Sequence, residues 1–199
     1  MLTIAWDIDD VLNHFTEQWL RECKKQNSVS ESASYESLTV NPPHELLNIS
    51  LDEYLLSLDS FREDFMSDLQ PVTETLGWFE EHGHKFRHIA LTAVPYKFAP
   101  KSASWVITYF GKWIRSFNYV PSYRSFDDIP SYDSDKKSFL SWLNNVDILI
   151  EDNEHNIQGA QELGIKTCMF PQPWNVERNK SMSQCLKELT ELTSSLKKA

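Results

Sequence analysis

An apolar run at residues 2–6 ends on two carboxylates placed two residues apart, Asp7 and Asp9, within Asp7-Ile8-Asp9-Asp10-Val11-Leu12. A short apolar run of this kind reads as a buried parallel strand. The carboxyl-terminal edge of such a strand is where α/β proteins gather a hard cation and an anionic substrate. Two later runs repeat the pattern: residues 87–92 close on the hydroxyl of Thr92, followed by Ala93, and residues 146–150 close on Glu151-Asp152-Asn153. Between them Asp135-Lys136-Lys137 opens a helical pattern and supplies an ammonium. On a helix Lys136 shares a face with Phe139, Leu140 and Leu143, whereas Lys137 aligns with Ser141 and Asn144. The spacing therefore favours Lys136 as the inward lysine, with Lys137 as its rival.

The stretches between these runs define the organisation. Residues 13–27 carry Phe15, Trp19, Leu20 and Cys23 at helical spacing, and the Ser/Glu-rich stretch 28–37 breaks the pattern as a mobile loop. Pro42-Pro43 is placed to open a short helix. Ser50-Leu51-Asp52-Glu53 is a capping box for a helix with Leu51, Tyr54, Leu55, Leu58, Phe61 and Phe65 on one stripe. From residue 71 strands and helices alternate, which predicts a parallel sheet with helices on both faces. The expected helices there are 72–82, ended by Gly83 as a left-handed cap, one opened by Pro100, 155–163 ended by Gly164, and an amphipathic terminal helix from Ser181. Residues 117–120, limited by Pro121, and 166–170 read as further strands. The expected division is an α/β core of residues 1–14 and 71–199 with a small all-helical subdomain, 15–70, inserted after the first strand.

Composition narrows the partners. A chain of 199 residues suits one core-bearing domain, and its net charge of -10 opposes binding to a nucleic-acid polymer, whose phosphates call for clustered Lys and Arg. A small phosphorylated metabolite remains compatible, because a metal ion and one or two local cations reverse the field inside a pocket. Cys23, Cys168 and Cys185 are odd in number and widely spaced, so the expectation is free thiols in a cytoplasmic protein rather than a disulfide framework or a zinc site. No basic leader is visible, and no segment approaches the roughly 20 apolar residues that span a bilayer. Nothing in the sequence speaks to the oligomeric state.

In order and spacing, these four elements resemble the motifs of the haloacid dehalogenase superfamily of phosphohydrolases. Within it, the insertion, the 147–152 segment and Phe170-Pro171-Gln172-Pro173-Trp174-Asn175 are most similar to the 5'(3')-deoxyribonucleotidase branch. The resemblance implies a Rossmann-like core and Mg²⁺-dependent hydrolysis of a phosphomonoester, such as a nucleoside monophosphate, through an aspartyl phosphate. It makes Asp7 the nucleophile and Asp9 the general acid and base. Thr92, Ala93 and the backbone near Ile8 and Asp9 would hold phosphoryl oxygens, and Lys136 would neutralise charge. Asp7, the Asp9 carbonyl and Asp152 would ligate Mg²⁺, with Glu151 orienting a metal-bound water.

Asp10 stands where relatives often have glycine. A third carboxylate facing phosphate is repulsive, so Asp10 is expected to turn away and cap the following helix or hold a Lys or Arg. Asn13, His14, Phe15 and Trp19 are candidates to contact the leaving group if the insertion closes over the site. Rival readings are a phosphotransferase or mutase on another small phosphorylated metabolite, and a non-catalytic phosphate-binding protein of the same fold. A carbon–halogen hydrolase is disfavoured by the presence of Asp9 and Asp152. A phospho-accepting receiver is disfavoured because its acceptor lies on a middle strand and its chain has no helical insertion after the first.

Overall fold

The computed structural model describes residues 1–122, 124, 129–130 and 132–196. β1 (Thr3–Trp6) is buried at every position and lies at the centre of a five-stranded sheet of order β3-β2-β1-β4-β5. The others are β2 (Arg87–Val94), β3 (Ile114–Pro121), β4 (Ile148–Glu151) and β5 (Lys166–Met169), and every pairing is parallel. Trp6 sits opposite Ala90 of β2 and Ile150 of β4, and the Asp7 amide extends the ladder by donating to the Ile150 carbonyl at 3.0 Å.

Side-chain alternation divides the strands between two cores. Ile4, Trp6, Ala90, Ile148, Ile150 and Cys168 face a cluster completed by α3 (Thr73–His82), α4 (Ala99–Phe110) and α7 (Met182–Leu196). Ala5, Ile89, Leu91 and Leu149 face α5 (Lys136–Leu143) and α6 (Glu154–Glu162) through Phe139, Leu140 and Ala160. The molecule is therefore an α/β sandwich of the Rossmann-like kind, its strands apolar on both faces because both faces are covered.

Two further helices, α1 (Phe15–Lys25) and α2 (Leu51–Phe65), stand between β1 and α3. They pack Trp19 edge-on to Tyr54 and Phe15 edge-on to Phe61. The segment leaves and rejoins the sheet layer at one point, where Asn13 bridges Pro71 and the Val72 amide donates to the Leu12 carbonyl at 2.8 Å. Ser50 and Glu53 form the reciprocal capping box of α2, but Leu51 is 44% exposed and lies off its buried face.

The link between α1 and α2 differs from a helical reading. Pro42-Pro43 leads only into turns: the Leu47 amide reaches the Pro43 carbonyl once, and Asn48, at φ 55°, ends the turn. The stretch 28–37, expected to be mobile, is anchored by buried Val29 and by a turn at Tyr35–Ser37 that Ser34 caps, with the Tyr35 hydroxyl donating to Gln172.

Gly83 is also not the left-handed cap its position suggested. It has φ −57° and opens a 3₁₀ turn, Gly83–Lys85. What requires glycine there is proximity, since a Cβ would lie 2.7 Å from Trp113 Cδ1. Gly164, by contrast, follows α6 at φ 77°. β3 runs through Pro121 because it is an edge strand, where a missing N–H is tolerated.

Candidate active site

The chain passes from β1 to β2 on one side of the sheet and later to β4 on the other, so a crevice opens at the carboxyl ends of β1 and β4. Asp7 follows β1, Thr92 lies near the end of β2, Glu151 ends β4 with Asp152 next, and Lys136 opens α5. They line a cavity of about 320 Å³.

Asp135 caps α5, its carboxylate accepting from the Ser138 amide at 2.8 Å, and this fixes the direction of the first helical residue. Lys136 then points inward and is only 2% exposed, whereas Lys137 points out to Glu162. The Lys136 ammonium donates to Glu151 Oε2 at 2.6 Å and lies 2.7 Å from Asp7 Oδ1. The second contact is a buried ion pair, so one ammonium bridges the two carboxylates. Glu151 Oε1 accepts from the amides of Asp152 and Asn153. Both Glu151 oxygens are thus engaged by the lysine and the turn.

Asp152 is held from the far side of the loop. Trp174 Nε1 donates to its Oδ2 at 2.8 Å, and Asn175 Nδ2 donates to its carbonyl at 2.8 Å. One oxygen each of Asp7, Glu151 and Asp152 lies within 4.8 Å of the others. Three buried carboxylates against one ammonium leave excess negative charge. Burial first, then Glu151, pushes Asp7 up to about 8, against the pull of Lys136. Burial, with Glu151 and Asp7, raises Asp152 as well. Burial works in the same direction on Glu151, but Lys136 overrides it and holds that carboxyl below its usual range. Burial disfavours a charged Lys136 too, and Asp7 and Glu151 together keep it raised. This oxygen-rich, under-compensated cluster of Asp7, Glu151 and Asp152 has the chemistry to hold a hard divalent cation.

Asp9 and Asp10 part ways. Asp9 Oδ2 is 2.6 Å from Arg62 Nη1, and its Oδ1 accepts from Asn13 Nδ2 at 3.2 Å. Asp10 adopts φ 62°, the conformation that favours glycine. Its carboxylate accepts from the Thr16 amide and hydroxyl, so it caps α1 from a distance where His14 makes no side-chain cap bond. Burial pushes Asp10 to about 7 despite these bonds.

The leaving-group candidates are rearranged. Phe15 reaches the cavity, but its ring carries the Arg62 guanidinium at 4.0 Å and is not free to stack on a substrate. Trp19 is fully buried behind α2, donating to Ser57 Oγ, and lines a different cavity. Asn13 is fully buried and acts as a pin: its Oδ1 accepts from the amides of Asp10 and Phe15. His14 faces Glu17 away from the crevice. The Ile8 side chain is in the core and its carbonyl accepts from the Leu12 and Asn13 amides, while Thr92 and Ala93 line the cavity.

The cavity wall that faces these groups comes from Tyr54, Leu55 and Leu58, which the sequence shows only as a helical stripe, from Pro42, and from Asn41, Arg62 and Arg124, which it does not single out. Arg124 donates through Nη2 and Nε to buried Asp59, tying α2 to the sheet layer. A signal was present, since Leu55, Leu58, Asp59 and Arg62 share one helical face. A larger cleft of about 660 Å³ lies at the opposite sheet edge, around Gly83, Arg87, Lys112 and Arg115. It brings no carboxylates together, so the smaller cavity is the one equipped for chemistry.

No protein-family model matches the sequence, and no curated protein matches it. Solved structures do. A haloacid dehalogenase-like hydrolase from Streptococcus pneumoniae superposes with a TM-score of 0.64 at 12% identity, over 96% of this chain and 98% of its own. A predicted phosphatase from Clostridium acetobutylicum gives 0.61 at 14% identity, over 96% and 98%. A Bacillus subtilis protein assigned as a hydrolase of the same type, solved with magnesium bound, gives 0.57 at 16% identity, over 96% and 97%. At such identities the likeness is one of architecture: the chain has the fold of the haloacid dehalogenase-like hydrolases.

Proposed function

We propose that the protein is a Mg²⁺-dependent phosphomonoester hydrolase working through Asp7. The observation that carries the reading is Lys136, buried between Asp7 and Glu151 beside Asp152 at the carboxyl edge of the sheet. Bound Mg²⁺ would supply the charge compensation that keeps Asp7 ionised at neutral pH and polarises the phosphoryl group. Asp7 attacks phosphorus, the phosphorus–oxygen bond to the leaving group breaks, and Asp9 gives that oxygen a proton. Asp9 then takes a proton from the water that cleaves the aspartyl phosphate. Lys136 and Thr92 hold the phosphoryl oxygens, and Arg62 has to release Asp9 Oδ2 before that carboxylate carries a proton.

Residues 15–70 act as a lid in this reading, because α2 supplies the wall opposite the carboxylates. A cavity near the lower end of the roughly 300–1,000 Å³ range for ligand sites suits a small monoester. Its nucleoside monophosphate version places the base against Tyr54, Leu55 and Leu58 rather than against Phe15 or Trp19.

The test is a phosphomonoester panel assayed with Mg²⁺ and with chelator, on the parent and on Asp7→Asn. Turnover should need the metal and fall by at least ~10³-fold in the variant. Full activity in chelator, or an active Asp7→Asn, rejects the proposal. Within the panel, a preference of ~10-fold or more for a deoxyribonucleoside monophosphate over glycerol phosphate supports the nucleotidase version. An added alcohol that captures the phosphoryl group would point instead to a transferase.

A further inference from the structure

Cys168 on β5 and Cys185 in the first turn of α7 are 17 residues apart, yet their Sγ atoms lie 3.1 Å from each other. A disulfide needs about 2.05 Å, so an approach of about 1 Å separates the two thiols from a bond. We propose that Cys168 and Cys185 are an oxidation site that a peroxide joins into a disulfide, stapling the segment that holds Asp152. That segment begins at Phe170 and contains Gln172, Trp174 and Asn175. Gln172 Nε2 donates to the Asp10 carbonyl, while Trp174 and Asn175 bind Asp152, so the bond would close the base of the loop that positions the acidic cluster.

The geometry also assigns the order of events. Cys168 is 8% exposed and Cys185 1%, so the peroxide reaches Cys168 first. The Cys168 thiolate attacks one peroxide oxygen and the O–O bond breaks, giving a sulfenic acid and a hydroxide that takes up the Cys168 proton as water. Cys185 Sγ then attacks Cys168 Sγ, the S–O bond breaks, and the departing hydroxide leaves with the Cys185 proton as a second water. Two thiols lose two electrons and one peroxide accepts them. Cys23, on α1, lies apart from this pair and serves as an internal control.

The full-length protein is treated with hydrogen peroxide, quenched, unfolded with N-ethylmaleimide and weighed intact. One maleimide addition, at Cys23, is expected in place of three, with a Cys168–Cys185 linked peptide in a non-reducing digest. The oxidised protein should melt about 6–12 °C higher than the reduced one, from the loop-closure effect of a disulfide on a domain of this size, and reducing agent should reverse the shift. Amide exchange across 170–181 should slow. Cys185→Ser should lose both the link and the shift; should that variant not fold, the maleimide count on the parent decides alone. Three additions, a link involving Cys23, or oxygen added to Cys168 without a link overturns the proposal.

Discussion

Replacing Lys136 by Met keeps the length of the side chain and deletes the ammonium from between Asp7 Oδ1 at 2.7 Å and Glu151 Oε2 at 2.6 Å. Removing one partner of a buried ion pair costs about 3–5 kcal/mol, because a charge is left without compensation. At roughly 2–4 °C per kcal/mol for a chain of this size, the variant should melt about 6–20 °C lower at pH 8 in chelator. The sign of the pH dependence follows from Glu151. Lys136 holds that carboxyl below its ordinary 4.5, so the stability it contributes is present above that value and disappears as pH falls below it. Lys136→Met removes this contribution, so its gap from the parent should be open at pH 8 and close as pH falls through 4.5 toward 3. At the acid end the orphaned carboxyls protonate and the gap shrinks. Thermal melts of the parent, Lys136→Met and Lys136→Met/Glu151→Gln across that range measure it, and the double variant should recover much of the loss. A gap below about 1 kcal/mol at pH 8, or one that neither pH nor the second substitution changes, would refute the view that the cluster is a compensated buried charge.

Trp174→Phe deletes the donor to Asp152 Oδ2 while keeping an aromatic ring, so the Mg²⁺ concentration for half-maximal activity should rise about 10–100-fold with little change in melting temperature; an unchanged metal titration argues against Asp152 as the ligand. His88 is buried and neutral, accepting from Trp6 Nε1 at 3.0 Å and facing the Gly83 carbonyl at 2.9 Å, and burial holds it down at about 4. Its contribution to stability is therefore complete above 6.5 and lost as pH falls toward 4, and urea denaturation should show a shallower acid loss in His88→Gln than in the parent. Gly83→Ala should destabilise by about 1–3 kcal/mol in the same assay through its clash with Trp113; a neutral result would mean that the indole moves aside freely.

Much of the fold was legible because its signals are local. Apolar runs of strand length, capping residues such as Ser50 and Asp135, and strand–helix alternation after residue 71 each depend on neighbours within a few positions. The direction of Lys136 was legible for the same reason, since one helical turn separates an inward from an outward lysine. The leaving-group wall was not. Phe15 and Trp19 have the composition of a stacking platform, but whether a ring is free depends on what lies over it, and Arg62 from a helix more than 40 residues along the chain covers one while α2 buries the other. Gly83 was legible as a required glycine but for the wrong cause, because only the folded chain brings Trp113 against it.

By itself, then, the sequence determined the strands, the order of the acidic and basic groups along their edge and the inward faces of α1 and α5, all consequences of backbone periodicity and near-neighbour chemistry. Tertiary structure alone decided the pairing of groups far apart in the chain: Asp9 with Arg62, Asp152 with Trp174, Cys168 with Cys185. Such pairings are set by how whole elements dock, and docking is governed by the shape of the buried surface rather than by any short run of residues.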